Sequence, residues 1–250
     1  MGSRRIALFS DVHGNLEALE AVLCDMEKMG VQEKFCLGDV VGYGPDPAQC
    51  LELVRETGCR MLLGNHEEAC VAVEPDSSFN SLARAGLDYA RMQLSAGQMD
   101  FLRALPMKID GEGFTVVHAS LHDKEPWAYV FDARDAAVHF KFQHQSVCFC
   151  GHTHKPGIWK FFGGKVHSQP VAPLFNIDPG AQYLINVGSV GRTRTLKPEA
   201  WYALYDPPSR TIKYRFIPYA FQITQKKIIR AGLPRILAER LNLGHPLISL

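Results

Sequence analysis

The sequence predicts an α/β fold. Two observations carry that expectation. The first 65 residues alternate short apolar runs with amphipathic, capped helical stretches, and the second half is dominated by short β-type runs joined by Gly, Asn, Asp and Pro. A β-α-β-α-β order at the start implies a parallel sheet with right-handed crossovers.

Taken in order, residues 5–9 read as a buried strand. Asn15 then reads as a helix N-cap, with Leu16, Leu19, Leu23 and Met26 on one face and Gly30 as the stop. Residues 34–37 are the next strand. Asp46-Pro47, a cap followed by Pro at the first helical position, opens a helix through Glu56 that stops at Gly58. Residues 60–63 are a third strand. A helical excursion follows at about 67–105, with one helix over 80–94 and another opened by the capping box Ser95-Ala96-Gly97-Gln98.

Residues 114–117 and 147–150 are strands, with a helix from about 132 to 142 between them. Residues 158–162 and 165–167 flank Gly163-Gly164, a two-residue hairpin turn. Strands follow over 182–187, 201–205 and 211–217. Short helices near 224–231 and 234–242 make a tail at about 222–243. No repeat or linker interrupts the chain, so one domain over residues 1–250 is expected.

Bulk properties narrow the function. The chain has 250 residues, 46% hydrophobic and 21% charged, with a net charge of +1. That is enough chain for a substantial core, and the lack of a basic excess argues against a nucleic-acid partner. No run of about 18 apolar residues exists, so no membrane span is expected. The start Met1-Gly2-Ser3-Arg4-Arg5 precedes only four apolar residues, too few for a signal peptide, and Gly2 lacks a myristoylation context. A cytoplasmic location is the expectation. The seven Cys are odd in number and lie mostly in apolar stretches, which suits reduced core thiols. Cys148 and Cys150 fall on one face of a strand, without a second Cys pair to complete a zinc site.

Five short blocks close apolar runs. They are Asp11-Val12-His13, Gly38-Asp39, Gly64-Asn65-His66, His118 and Gly151-His152-Thr153-His154. A His at a strand end is, taken singly, more often a hydrogen-bonded loop residue than a ligand. Here five of the ten His fall in such blocks. Imidazole, carboxylate and amide oxygen at strand ends suit a pair of first-row divalent ions, and manganese, iron, zinc and nickel all accept these donors. Two ions about 4 Å apart generate hydroxide and neutralise phosphoryl charge. Holding them that close requires a shared anion, and Asp39 is central in the order of the blocks. Two divalent ions less Asp11, Asp39 and a bridging hydroxide leave one positive charge, which attracts a phosphate.

The set D-x-H, G-D, G-N-H, H and G-H-x-H, running from residue 11 to residue 154, resembles the calcineurin-like metallophosphoesterases. Asn186-Val187-Gly188-Ser189-Val190-Gly191 and the ending Ala231-Gly232-Leu233-Pro234 resemble segments of their small bacterial and archaeal members. The resemblance implies a four-layer α/β/β/α sandwich of two mixed β-sheets flanked by helices. It implies that Asp11, His13, Asp39 and His154 hold one ion, and that Asp39, Asn65, His118 and His152 hold the other. His66 then assists the leaving oxygen, with Asp39 and His66 as the catalytic pair.

The implied reaction is hydrolysis of phosphate esters by a metal-bridging hydroxide, on phosphodiester or nucleotide-type substrates. Dinucleoside polyphosphates and phosphomonoesters are alternatives. Glu67 stands where many members have Asp. Gly38-Asp39-Val40-Val41-Gly42-Tyr43-Gly44 lacks the Asp-Arg-Gly of the protein-phosphatase branch, and with it that branch's phosphate-gripping Arg. A non-catalytic scaffold, as in the retromer-type relative, should have lost His66 or several ligands. Asn65, His122, Arg192, Arg194 and Tyr43 are candidates for substrate contacts, with solvated or packing roles as the alternative. Tyr43, Trp127 and Tyr129 offer faces to a nucleobase.

Overall fold

The computed structural model describes residues 4–73, 79–194 and 197–243, with the side chain of Leu243 excluded. The chain start at Met1–Ser3 and residues 74–78 of the expected excursion lie outside the described residues. The elements in order are β1 (Ile6–Phe9), α1 (Leu16–Lys28), β2 (Glu33–Cys36), α2 (Pro47–Glu56), β3 (Arg60–Met61), α3 (Asn65–Val71), α4 (Ser81–Gln93), α5 (Ala96–Arg103), β4 (Lys108–Asp110) and β5 (Phe114–Val117). They continue with α6 (Ala133–Phe140), β6 (Val147–Cys150), β7 (Gly157–Phe162), β8 (Lys165–Gln169), β9 (Leu174–Asn176), β10 (Gln182–Asn186), β11 (Glu199–Asp206), β12 (Thr211–Pro218), α7 (Phe221–Arg230) and α8 (Arg235–Leu243).

Two mixed six-stranded sheets result. One runs β3-β2-β1-β11-β12-β9 and the other β4-β5-β6-β10-β7-β8. The period-two alternation of strand side chains sets the layers. In β1, Ile6 and Leu8 point between the sheets, where they meet Phe114, Phe149 and Tyr183 of the facing sheet. Ala7 and Phe9 point the other way and pack on Leu19, Val22 and Met26 of α1 and Leu51 of α2. On the far side, Cys148, Cys150 and Leu184 pack against Ala136 and Phe140 of α6. Helices, sheet, sheet and helix make the four layers expected. Five of the seven thiols are buried, but Cys24 is exposed and Cys59 is half-buried.

Local signals account for several elements directly. The Asn15 side chain accepts from the Ala18 amide, as an N-cap should. Gly163 and Gly164 have φ of +59° and +76°, the pair of positive values that a tight hairpin of this kind needs. Asp46 departs from expectation. It precedes α2 but its side chain makes no cap hydrogen bond. Its carboxylate instead accepts from Lys227 Nζ at 2.8 Å, because α7 brings a cation against it. The excursion holds three helices among the described residues rather than two. The extra one, α3, begins at Asn65 itself. Short edge strands β4 and β9 also went unexpected. No helix among the described residues is long and apolar enough to cross a membrane.

Asn15 also ties the tail to the body. It is 2% exposed, and Nδ2 donates to the Gly191 carbonyl at 2.8 Å and to the Tyr219 hydroxyl at 3.1 Å. The Thr224 hydroxyl lies 3.0 Å from its Oδ1. Asn15→Ala removes the cap and strands several buried groups. It is expected to cost about 3 kcal/mol in denaturant-unfolding experiments, and a loss under about 1 kcal/mol would contradict this role.

Candidate metal centre

Parallel pairing places the carboxyl ends of β1 and β2 side by side in one sheet, and those of β5, β6 and β10 in the other. Loops leaving such ends form the usual crevice of α/β proteins. Here the loops are stitched together by their backbones. The Asp11 amide donates to the Gly38 carbonyl (3.0 Å), the His13 amide to Asp39 (2.9 Å), and the Gly151 amide to His118 (2.8 Å). Gly191 donates to the Asp11 carbonyl at 2.9 Å, and a Cβ on Gly191 would sit 1.7 Å from the Val12 carbonyl oxygen. Only glycine allows that approach.

The loop backbones carry strain. Asp11, His13, Asp39, His152 and His154 have φ between +48° and +67°, although none is glycine. Such conformations cost on the order of 1–3 kcal/mol each and persist where the surroundings impose them. They turn these side chains inward. All five are at most 5% exposed.

The side chains of the five blocks converge. Asp11, His13 and His154 form one group whose ligand atoms lie within 4.8 Å of one another, and Asp39, His118 and His152 form a second. His13, Asp39 and His66 form a third group that overlaps both. Asn65 joins the second group, its Oδ1 lying 3.1 Å from His118 Nε2. Each Asp commits one oxygen to a backbone amide: Asp11 Oδ2 accepts from His152 at 3.0 Å, and Asp39 Oδ1 from His66 at 2.9 Å. The other oxygens face the rings. Asp39 Oδ2 is 3.7 Å from His13 Nε2 and 3.4 Å from His118 Nε2, so it lies between the two groups. Asp11 Oδ1 is 3.3 Å from His154 Nε2, yet buried with no hydrogen-bond partner.

The imidazoles test whether cations fit. Nδ1 of His13, His118 and His154 sits 3.0, 2.7 and 2.9 Å from the carbonyls of Val41, Leu37 and Arg192. A carbonyl accepts only, so Nδ1 carries a proton, which leaves Nε2 as the atom that can present a lone pair to a cation. His13 and His154 then face each other Nε2 to Nε2 at 3.0 Å. Two neutral lone pairs at that distance repel, and a shared cation resolves the conflict. The donor set therefore fits divalent metal ions.

Electrostatics keep both carboxylates charged, as metal ligands require. Burial opposes ionisation of Asp11, but His154 outweighs it and holds the carboxyl at about 2. Burial is likewise overcome at Asp39, chiefly by His118 and His66, which keep it well below the usual carboxylate range. Burial holds His66 down to about 4 and, with His118, takes His152 to about 3. His118 goes the other way: burial lowers it, but Asp39 raises it to about 9.

Of the remaining candidates, Tyr43 packs against His13 and His66, with ring centroids 4.9 and 4.8 Å apart. Arg192 and Arg194 reach His154 through their backbones. Tyr129 stacks on His152 at 4.1 Å, and Trp127 meets His118 edge-on at 5.7 Å. The His122 ring instead contacts Phe142. Cys148 and Cys150 belong to none of the groups suited to a metal among the described residues.

Glu67 is the residue whose importance the sequence concealed. Its buried carboxylate accepts from the amides of Asp39 (2.6 Å), Val40 (2.7 Å), Val41 (3.1 Å) and Gly64 (3.0 Å). It thereby holds the Asp39 loop against α3. An acid at the third position of a helix beginning at Asn65 was the available signal. Glu67→Gln puts an NH₂ against these N–H donors. It should lower stability by about 2 kcal/mol and speed hydrogen exchange at Asp39–Val41; unchanged exchange there would contradict the clamp.

Residues 5–209 match the model of the calcineurin-like phosphoesterase superfamily domain. The chain is 33% identical to protein MJ0912 of Methanocaldococcus jannaschii, over 96% of this chain and 98% of that protein. A metallophosphoesterase structure from Sphaerobacter thermophilus superposes with a TM-score of 0.83 at 36% identity, covering 98% of this chain and 100% of that one. A 76-residue stretch, 29% of this chain and 27% of the relative, is 42% identical to a symmetrical bis(5'-nucleosyl)-tetraphosphatase of Pectobacterium carotovorum. The chain belongs to the calcineurin-like phosphoesterase superfamily.

Proposed function

We propose that this protein hydrolyses phosphate esters with a pair of divalent ions, acting on phosphodiester or nucleotide-type substrates. The observation that carries the reading is the Asp39 Oδ2 atom, which lies between His13 of one group and His118 of the other. Asp11, His13, Asp39 and His154 would hold one ion, and Asp39, Asn65, His118 and His152 the second. Manganese, iron, zinc or nickel suits these donors, and when bound the ions supply phosphoryl charge neutralisation and an activated water.

The chain's own residues do the positioning. Backbone carbonyls orient His13, His118 and His154 through Nδ1. Glu67 holds the loop that carries Asp39. His66 is 3% exposed, its amide is fixed on Asp39, and its ring is packed by His13, Tyr43 and Phe79. Its Nδ1 has no hydrogen-bond partner. A neutral ring held this way has one N–H to donate, which we assign to the departing oxygen of the ester. The local similarity to a bis(5'-nucleosyl)-tetraphosphatase supports nucleotide-type substrates.

Two experiments test the reading. Protein stripped by a chelator should lose turnover of bis(p-nitrophenyl) phosphate and regain it when manganese, iron, zinc or nickel is returned separately. Activity that survives stripping, or an inert protein with every ion and ester tried, would overturn it. The second uses variants. Asp39→Asn should lose bound metal. His66→Ala should keep its metal while kcat falls about 100-fold or more. Near wild-type turnover in either variant would contradict these roles.

A further inference from the structure

Trp127-Ala128-Tyr129-Val130-Phe131 puts an aromatic ring at every second position, between His118 and the start of α6. Backbone bonds hold both ends of this segment. The Ser120 amide donates to the Pro126 carbonyl at 3.2 Å, and the Phe131 amide to the Asp135 carboxylate of α6 at 2.9 Å. Val130 is buried in the core cluster that holds Ala136 and Phe140 of α6. Its neighbours face water: Tyr129 is 44% exposed and Phe131 49%. Exposed apolar side chains are ordinary when scattered singly. These two instead continue a stack that begins in the metal cluster. Tyr129 lies on the His152 ring, with centroids 4.1 Å and planes 25° apart. Phe131 lies on Tyr129, with centroids 5.2 Å and planes 7° apart, the geometry of an offset pair. Tyr129 is the one ring partner of Phe131 among the described residues.

We propose that Tyr129 and Phe131 form a platform on which a nucleobase of the substrate stacks while its phosphate is held at the cluster. This deepens the phosphoesterase reading and rests on it, with esters that carry a base as the preferred class. Every nucleobase has a π-face, so an open aromatic surface binds it without an enclosed pocket and with little regard to which base it is. The offset leaves part of the Tyr129 ring uncovered, and Phe131 has half its surface free to take another ring. A nucleotide separates its base from its phosphate by a sugar. The stack likewise separates Phe131 from the His152 imidazole by the Tyr129 ring. That continuity with His152 argues for the substrate, rather than another chain, as the occupant. Trp127 serves a different end. Its Nε1 donates to Glu68 at 2.7 Å, which ties the segment to α3, the helix that begins at Asn65.

The test measures, by calorimetry on metal-loaded protein, the Kd of AMP and of ribose 5-phosphate, which lacks the base. Wild type should bind AMP about tenfold more tightly. Phe131→Ala should remove most of that advantage and change ribose 5-phosphate by less than about twofold, while Phe131→Trp should keep it. Phe162→Ala, which alters an exposed ring on β7, should change neither ligand. Thermal melting checks that each variant is folded. Equal wild-type affinity for the two ligands, equal weakening of both by Phe131→Ala, or the same effect from Phe162→Ala would overturn the platform. So would a change of oligomeric state in Phe131→Ala with AMP affinity intact, which would assign the pair to an interface between chains. Turnover of bis(p-nitrophenyl) phosphate is followed in parallel. A wild type inert towards that diester, yet binding AMP through Phe131, would sink the phosphoesterase reading alone. An active wild type indifferent to the base would end the platform alone.

Discussion

Asp39 sits where the ends of the two sheets meet, and its burial sets the problem that the surrounding residues solve. A carboxylate 1% exposed would be costly on its own, by several kcal/mol. Here one oxygen is satisfied by the His66 amide and the other faces two imidazoles. The loop that carries it is fastened by Glu67, itself a buried acid that burial and Asp39 push up to about 7 and that four amides stabilise. Removing the charge of Asp39 would leave His13 and His118 facing each other's neighbours without an anion between them.

The same constraint explains the strain. A left-handed step lets a short loop leaving a strand end turn a side chain back over the sheet, and five of the inward residues take one without being glycine. The two sheets, buried against each other through Ile6, Leu8, Phe114, Phe149 and Tyr183, are rigid enough to impose it. The fold therefore spends stability to hold these donors together, a cost that points to a function for the cluster.

Much of this was legible in sequence, for physical reasons. The chemistry-bearing blocks stand at strand ends, where residue type and position are both visible, so the two side-chain groups could be anticipated before any coordinates. α1 and the Gly163-Gly164 turn were legible because cap and turn chemistry act within a few residues. α3 was not, since its first turn is the Gly64-Asn65-His66 block and reads as a loop. β4 and β9 are three-residue edge strands that exist only through pairing with β5 and β12. Asp46 read as a cap, but a lysine 181 residues away claims its carboxylate. Glu67 escaped for the same reason, because its amide partners Asp39, Val40 and Val41 lie on a loop far from it along the chain.

We propose that one carboxylate, Asp39, serves two cations, and anomalous diffraction from crystals of the protein reloaded with manganese or zinc would show whether it does. Two anomalous peaks flanking the Asp39 carboxylate, one beside His13 and His154 and the other beside His118 and His152, are the predicted result. A single peak, or a pair with Asp39 turned away from both, would contradict the account.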